Sequence, residues 1–100
     1  MARRQLIVTP RAQRQIAGNG EWWRENRHKA SDAFDHDLEG AYDLILAHPE
    51  VGVMVGNTRR RGARRLHLER IHYDLYYEVT EQAILILALW HSSRRPPRGL

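Results

Sequence analysis

The first apolar run, QLIVT at residues 5–9, is short and rich in β-formers, and it predicts a strand. Thr9 and Pro10 follow as a helix N-cap and a first-turn proline, so the strand leads directly into a helix. Ala12, Ile16 and Trp23 recur along it at helical spacing. Gly18, Asn19 and Gly20 interrupt the middle, and a kink or split is expected there, since each glycine costs about 1 kcal/mol relative to alanine. Ser31 is placed to cap a second helix, in which Phe34, Leu38, Ala41, Tyr42 and Ile45 form one apolar stripe and His48-Pro49 makes the stop. The short link RHKA between the two helices predicts an antiparallel hairpin.

Beyond residue 50 the period changes. After PEVGVMVG and the loop NTRRRGARR, Leu66 and Leu68 alternate with Arg65, His67 and Glu69. From Ile71 the phase shifts: Ile71, Tyr73, Leu75, Tyr77 and Val79 alternate with His72, Asp74, Tyr76 and Glu78, so a bulge or tight turn is expected at Glu69-Arg70. The unbroken apolar run Ala83 to Trp90 predicts a central strand covered on both faces. Segregated helices followed by strands imply an α+β domain: an antiparallel sheet packed on one face by an N-terminal two-helix hairpin, in the order β-α-α-β-β-β, with the other face open. Residues 1–100 make a single domain, of which 91–100 are expected as an exposed basic tail.

Composition narrows the chemistry. The chain has no cysteine, which excludes disulfides and thiolate metal sites and is compatible with a reducing cytosol. The longest apolar run falls far short of the ~20 residues needed to span a bilayer, and MARRQLIVTP lacks the apolar core of a secretory signal, so a soluble cytoplasmic protein without a membrane partner is expected. Fifteen arginines and one lysine stand against twelve acids, giving a net charge of +4 and a pI near 10.1. That balance favours polyanionic or acidic partners, although a GC-rich coding sequence produces the same arginine excess without any function.

Asp32, Asp35, Asp37 and Glu39 lie in the first half of the second helix, where the dipole favours carboxylates, and they are expected to be solvated. On the open sheet face, Arg65, His67, Glu69, His72, Asp74, Tyr76 and Glu78 should gather, with His91 and the tail arginines delivered by the neighbouring strand. A metal-independent ribonuclease needs such a set: a base for the 2′-hydroxyl, an acid for the leaving 5′-oxygen, and guanidinium groups on the phosphate. Ordinary surface histidines satisfy the same pattern. There is no H-x-x-x-H or H-E-x-x-H motif and no phosphate-cradling glycine loop, so neither metal nor cofactor is expected. Trp22 and Trp23 lie about 100° apart around a helix; Trp23 continues the core stripe and Trp22 falls at its edge or on a partner surface. Arg59, Arg60, Arg61 and Arg64 form either a solvated hairpin tip or a phosphate-contacting element. At the end of the chain Pro96 and Pro97 stop the strand from continuing, leaving His91, Arg94 and Arg95 as a docking element for a target.

In their order, TPRAQRQI, WWRENR, AFDHDLEGAYDLILAHPEVG, RRLHLERIHYDLYYEV and ILILALWHSSRRPP resemble the RelE/ParE toxin superfamily of bacterial type II toxin-antitoxin systems, within it the ParE-like branch. The resemblance implies the same α+β fold and a cognate antitoxin, largely helical and often acidic, that wraps and neutralises the toxin. It implies two activities. ParE-like members poison DNA gyrase and are not nucleases, whereas RelE-like members cleave mRNA on the ribosome; by position Arg65, Arg70 and His91 match the ribonuclease set. The sheet region has no lysine, Lys29 being the only one, which weighs toward the branch that is not enzymatic. The expectation is therefore a growth-inhibiting toxin that binds gyrase, with a role in plasmid stabilisation, and the alternative is a ribosome-dependent endoribonuclease.

Overall fold

The computed structural model of the chain describes residues 4–56, 58–60 and 62–100. Strand β1, Gln5–Val8, passes through Thr9 into helix α1, Pro10–Asn26. The Thr9 hydroxyl accepts from the Ala12 amide at 3.3 Å and donates to the Ile86 carbonyl at 2.8 Å, so one residue both caps the helix and ties it to the sheet. Contrary to expectation α1 runs unbroken through Gly18 to Gly20. A Cβ on Gly20 would lie 3.1 Å from the Phe34 ring, so this glycine is where the second helix comes closest rather than a point of breakage. A 3-10 turn, His28–Ala30, leads to α2, Ala33–Ala47. Asp32, not Ser31, occupies the N-cap of α2, and its side chain makes no capping bond. Phe34, Leu38, Ala41 and Ile45 are buried as the apolar stripe requires.

The rest of the chain forms β2 (Val53–Met54), β3 (Ala63–Leu68), β4 (Tyr73–Val79) and β5 (Ala83–His91). The sheet order is β1-β5-β4-β3-β2. The fold is α+β as expected, with two differences in the sheet. It carries the additional edge strand β2, and β1 runs parallel to β5, making the sheet mixed rather than wholly antiparallel. The helical connection explains the second difference, because a parallel pair needs a crossover and α1 with α2 supplies one. β5, central and apolar, is covered on both faces.

Tyr73, Leu75 and Tyr77 of β4 face the helices together with Leu68, Ile84, Ile86 and Leu89 and meet Phe34, Leu38 and Ile45 in the main core. The pairing of β4 with β5 slips between Tyr76 and Tyr77, leaving Leu87 as an extra residue that restores the facing of Leu89. The phase change near Glu69 is a tight turn in which His72 takes φ 63°, so His72 belongs to the turn and not to the strand face.

The second sheet face is not open. Ala63, Tyr76, Leu87 and Ala88 form a smaller apolar cluster with Leu100, flanked by Val55, Leu85 and Trp90. The chain after β5 turns back, and the Leu100 carbonyl accepts from the Arg59 amide at 2.8 Å. Apolar side chains on both faces of β4 and β5 require cover on both sides; the helices give one and the returning tail gives the other. Among the described residues no helix is long and apolar enough to cross a membrane.

Candidate functional site

On the tail-covered face, β3 and β4 set polar residues in register. Arg65 stands opposite Tyr76 and His67 opposite Asp74. His67 Nδ1 lies 2.7 Å from Asp74 Oδ1. A carboxylate only accepts, so His67 donates from Nδ1, and the bond fixes the orientation of the ring with Nε2 on its far side. Burial pushes the Tyr76 phenol up from its usual range, against a hydrogen bond to Arg65 that pulls it down. Arg60 bonds Glu78 at 2.9 Å at the other end of the row. An oriented imidazole beside a guanidinium is an arrangement able to take a proton from a hydroxyl while holding a phosphate.

The residues expected to form a ribonuclease set are dispersed. Arg65 lies on this face. Arg70, in the turn between β3 and β4, makes two bonds to Asp37 of α2, from Nε at 2.9 Å and from a terminal nitrogen at 2.5 Å. That fork holds the Asp37 carboxyl below the usual carboxylate range. Asp37 is thus an ion-pair partner and not a merely solvated helix acid. His91 stands opposite Tyr73 on the helix-facing side and packs edge-on against its ring, with centroids 5.3 Å apart. Its Nδ1 accepts from the Ser93 amide at 3.2 Å and lies 2.7 Å from the Ser93 hydroxyl.

The tail and loop arginines differ in how they are held. Arg94 lays its guanidinium over the Trp90 ring, 4.2 Å from the centroid, and Trp90 Nε1 donates to the Arg95 carbonyl. Arg94 and Arg95 are themselves exposed. In the loop, Arg60 is tied to Glu78, and Arg64 donates to the Glu50 and Gly52 carbonyls at 3.2 and 2.7 Å. Arg59 is exposed, and Arg61 lies outside the described residues. The pairing of His67 with Asp74 was available to sequence reasoning, because a hairpin closed at 69–72 puts those positions opposite each other; Arg11, which meets the tail at Gly99, carried no such signal.

The structure is similar to a chain of the chromosomal ParDE system from P. aeruginosa, with a TM-score of 0.69 at 20% identity over 88% of this chain and 95% of that one. It is similar to a chain of the E. coli DinJ-YafQ toxin-antitoxin complex, with a TM-score of 0.63 at 13% identity over 92% and 96%. It also resembles the YoeB dimer from Staphylococcus aureus, with a TM-score of 0.58 at 14% identity over 89% and 97%. At these identities the structures show a shared fold. No curated protein matches the chain in sequence. The family model for the ParE toxin of type II toxin-antitoxin systems, parDE, matches residues 6–96. The chain belongs to the ParE toxin family and is the toxin component of a type II system, which implies a cognate antitoxin.

Proposed function

We propose that this ParE-family toxin arrests growth by binding DNA gyrase without chemistry of its own, and that its antitoxin silences it by covering the target-binding surface. The observation that carries this reading is the dispersal of Arg65, Arg70 and His91: one on the tail-covered face, one spent on Asp37, one against Tyr73 on the opposite face. A transesterification site needs its base, acid and phosphate clamp within hydrogen-bond reach of one another's substrate atoms, and these three do not share a surface. The turn from His91 to Arg95 is then the docking element, presenting two exposed guanidinium groups to an acidic protein surface. Purified toxin at micromolar concentration is expected to inhibit gyrase supercoiling or to trap the cleaved complex, with Arg94→Ala and Arg95→Ala weakening the effect. Gyrase turning over normally at saturating toxin would remove the proposal.

A second reading is favoured by one feature, the His67–Asp74 pair beside Arg65. Here His67 is the base for a 2′-hydroxyl and Arg65 holds the phosphate, in a ribosome-dependent endoribonuclease. Mapping mRNA ends on programmed ribosomes decides it: cuts by the wild type that His67→Ala abolishes support it, and intact mRNA excludes it.

A further inference from the structure

A cleft of about 550 Å³ opens where the tail meets the start of α1, lined by Arg11, Trp90, Arg94, Arg95, Pro96 and Arg98. Four of these six residues are arginines, and the arginine ion pairs among the described residues engage Arg24, Arg60 and Arg70 instead. Four cations therefore converge with no Asp or Glu carboxylate to offset their repulsion, which an incoming anion would relieve. The tail that carries three of them is not a free end. Trp90 Nε1 holds the Arg95 carbonyl, the Arg94 amide donates to the His91 carbonyl at 3.1 Å, and Leu100 is buried on the sheet. Little ordering is left to be done when a ligand arrives.

The aromatic at the centre of the cleft narrows the choice of anion. Arg94 holds its guanidinium over the Trp90 ring, 4.2 Å from the centroid, and is exposed, so the pair presents a planar cation and an aromatic ring of the kind on which nucleobases stack. We infer that this cleft binds the phosphodiester backbone of a single-stranded nucleic acid, with Arg11, Arg95 and Arg98 on successive phosphates and a base stacked on the Arg94–Trp90 pair. A duplex keeps its bases stacked inside and has none to offer the pair. An acidic peptide would answer the charge and leave the pair unused. The loop arginines are poorer candidates for this role, since Arg60 and Arg64 are already engaged within the fold. The inference goes beyond the gyrase reading and does not depend on it, since the cleft is complete in the toxin alone.

The test is a fluorescence-anisotropy titration of the purified full-length toxin with labelled oligo(dT) and oligo(rU) of about twelve nucleotides, a length within the range single-strand sites cover. Over a salt series, log K should fall against log salt with a slope of about −2, the value for three single-strand phosphates. Arg11→Ala, Arg95→Ala and Arg98→Ala should each flatten that slope by about 0.7. Arg94→Lys keeps the charge and loses the plane, so it should weaken binding about tenfold with the slope unchanged. Arg14→Ala removes an exposed arginine of α1 outside the cleft and sets the background of nonspecific attraction. Preference for either sugar, or for neither, supports the site and says which nucleic acid supplies its ligand. Absence of binding, an Arg14→Ala loss as large as the cleft losses, or tighter binding of polyglutamate or of a duplex of equal charge overturns it.

Discussion

Tyr77 is fully buried, yet its hydroxyl makes two hydrogen bonds, accepting from the Gly52 amide and donating to the Pro49 carbonyl, both at 2.8 Å. The loop that leaves α2 is thereby fastened to the middle of β4 by one oxygen. Tyr77→Phe leaves a buried amide without a partner, and the expected loss is about 1–3 kcal/mol, readable as a lowered urea midpoint at unchanged m-value. Gly52 is obligatory for the same contact, since a Cβ there would lie 2.7 Å from the Tyr77 oxygen. The Asp37–Arg70 fork makes a pH prediction. The Asp37 pKa is lowered on folding, chiefly by the bond from Arg70, so its contribution is complete above the unfolded carboxylate value and is lost as pH falls through the lower folded value. Urea midpoints of wild type and Asp37→Asn should therefore differ by a constant amount from neutral pH down to about 5 and converge below about 4, where the wild-type carboxyl also takes its proton. In the chain itself Asp37 was indistinguishable from Asp35 as a first-half helix acid; its partner stands 33 residues away.

Helix α1 shows why a pattern can identify an element and still misjudge its course. The glycines at 18 and 20 lower helix propensity, but Gln15 and Asn19, one turn apart, bond the two backbone groups of Leu89: its amide donates to Gln15 Oε1 and its carbonyl accepts from Asn19 Nδ2, both at 3.0 Å. β1 pairs with β5 only as far as Ile86, so these two side chains take the place of the missing strand along the exposed rail of β5. That tertiary tie outweighs the local cost of the glycines. The two glycines should answer differently to alanine. Gly18 has nothing within 4 Å of a Cβ, so Gly18→Ala should raise stability by about 0.5–1 kcal/mol in thermal denaturation. Gly20→Ala sets its methyl against Phe34 at 3.1 Å and should bring no such gain. Equal stabilisation by both would mean that the close approach of the helices is not confining.

At the scale of the molecule the tail changes what the sheet can present. A face expected to be open is partly sealed by Leu100, which is 8% exposed and packs with Ala63, Tyr76, Leu87 and Ala88. Leu100→Ala removes most of that side chain and should cost about 1–2 kcal/mol, less than a deep core site because the cover is one layer thick. It should also loosen the tail, so that oligonucleotide binding weakens although no arginine is changed. A tail acting independently of the sheet would leave both measurements where they were. The same return of the chain brings Arg11 of α1 to Arg94, Arg95 and Arg98, residues more than eighty positions away in sequence, and leaves His91 turned to the helix side.

Alternation and helical spacing carried the α+β class, the two helices, the inward set from Tyr73 to Val79 and the central place of β5, because the period of apolar residues records which side of a local element must leave water. The ordered motifs carried the ParE resemblance that the family match over residues 6–96 bears out. Local pattern has no access to which remote groups meet. Parallel pairing of β1 with β5, the ion pair of Arg70 with Asp37, the seating of Leu100 and the arginine cleft each join segments far apart in the chain. Such unions are settled by whatever packing covers both faces of the sheet and satisfies its backbone, a condition on the whole molecule that no single stretch of residues expresses.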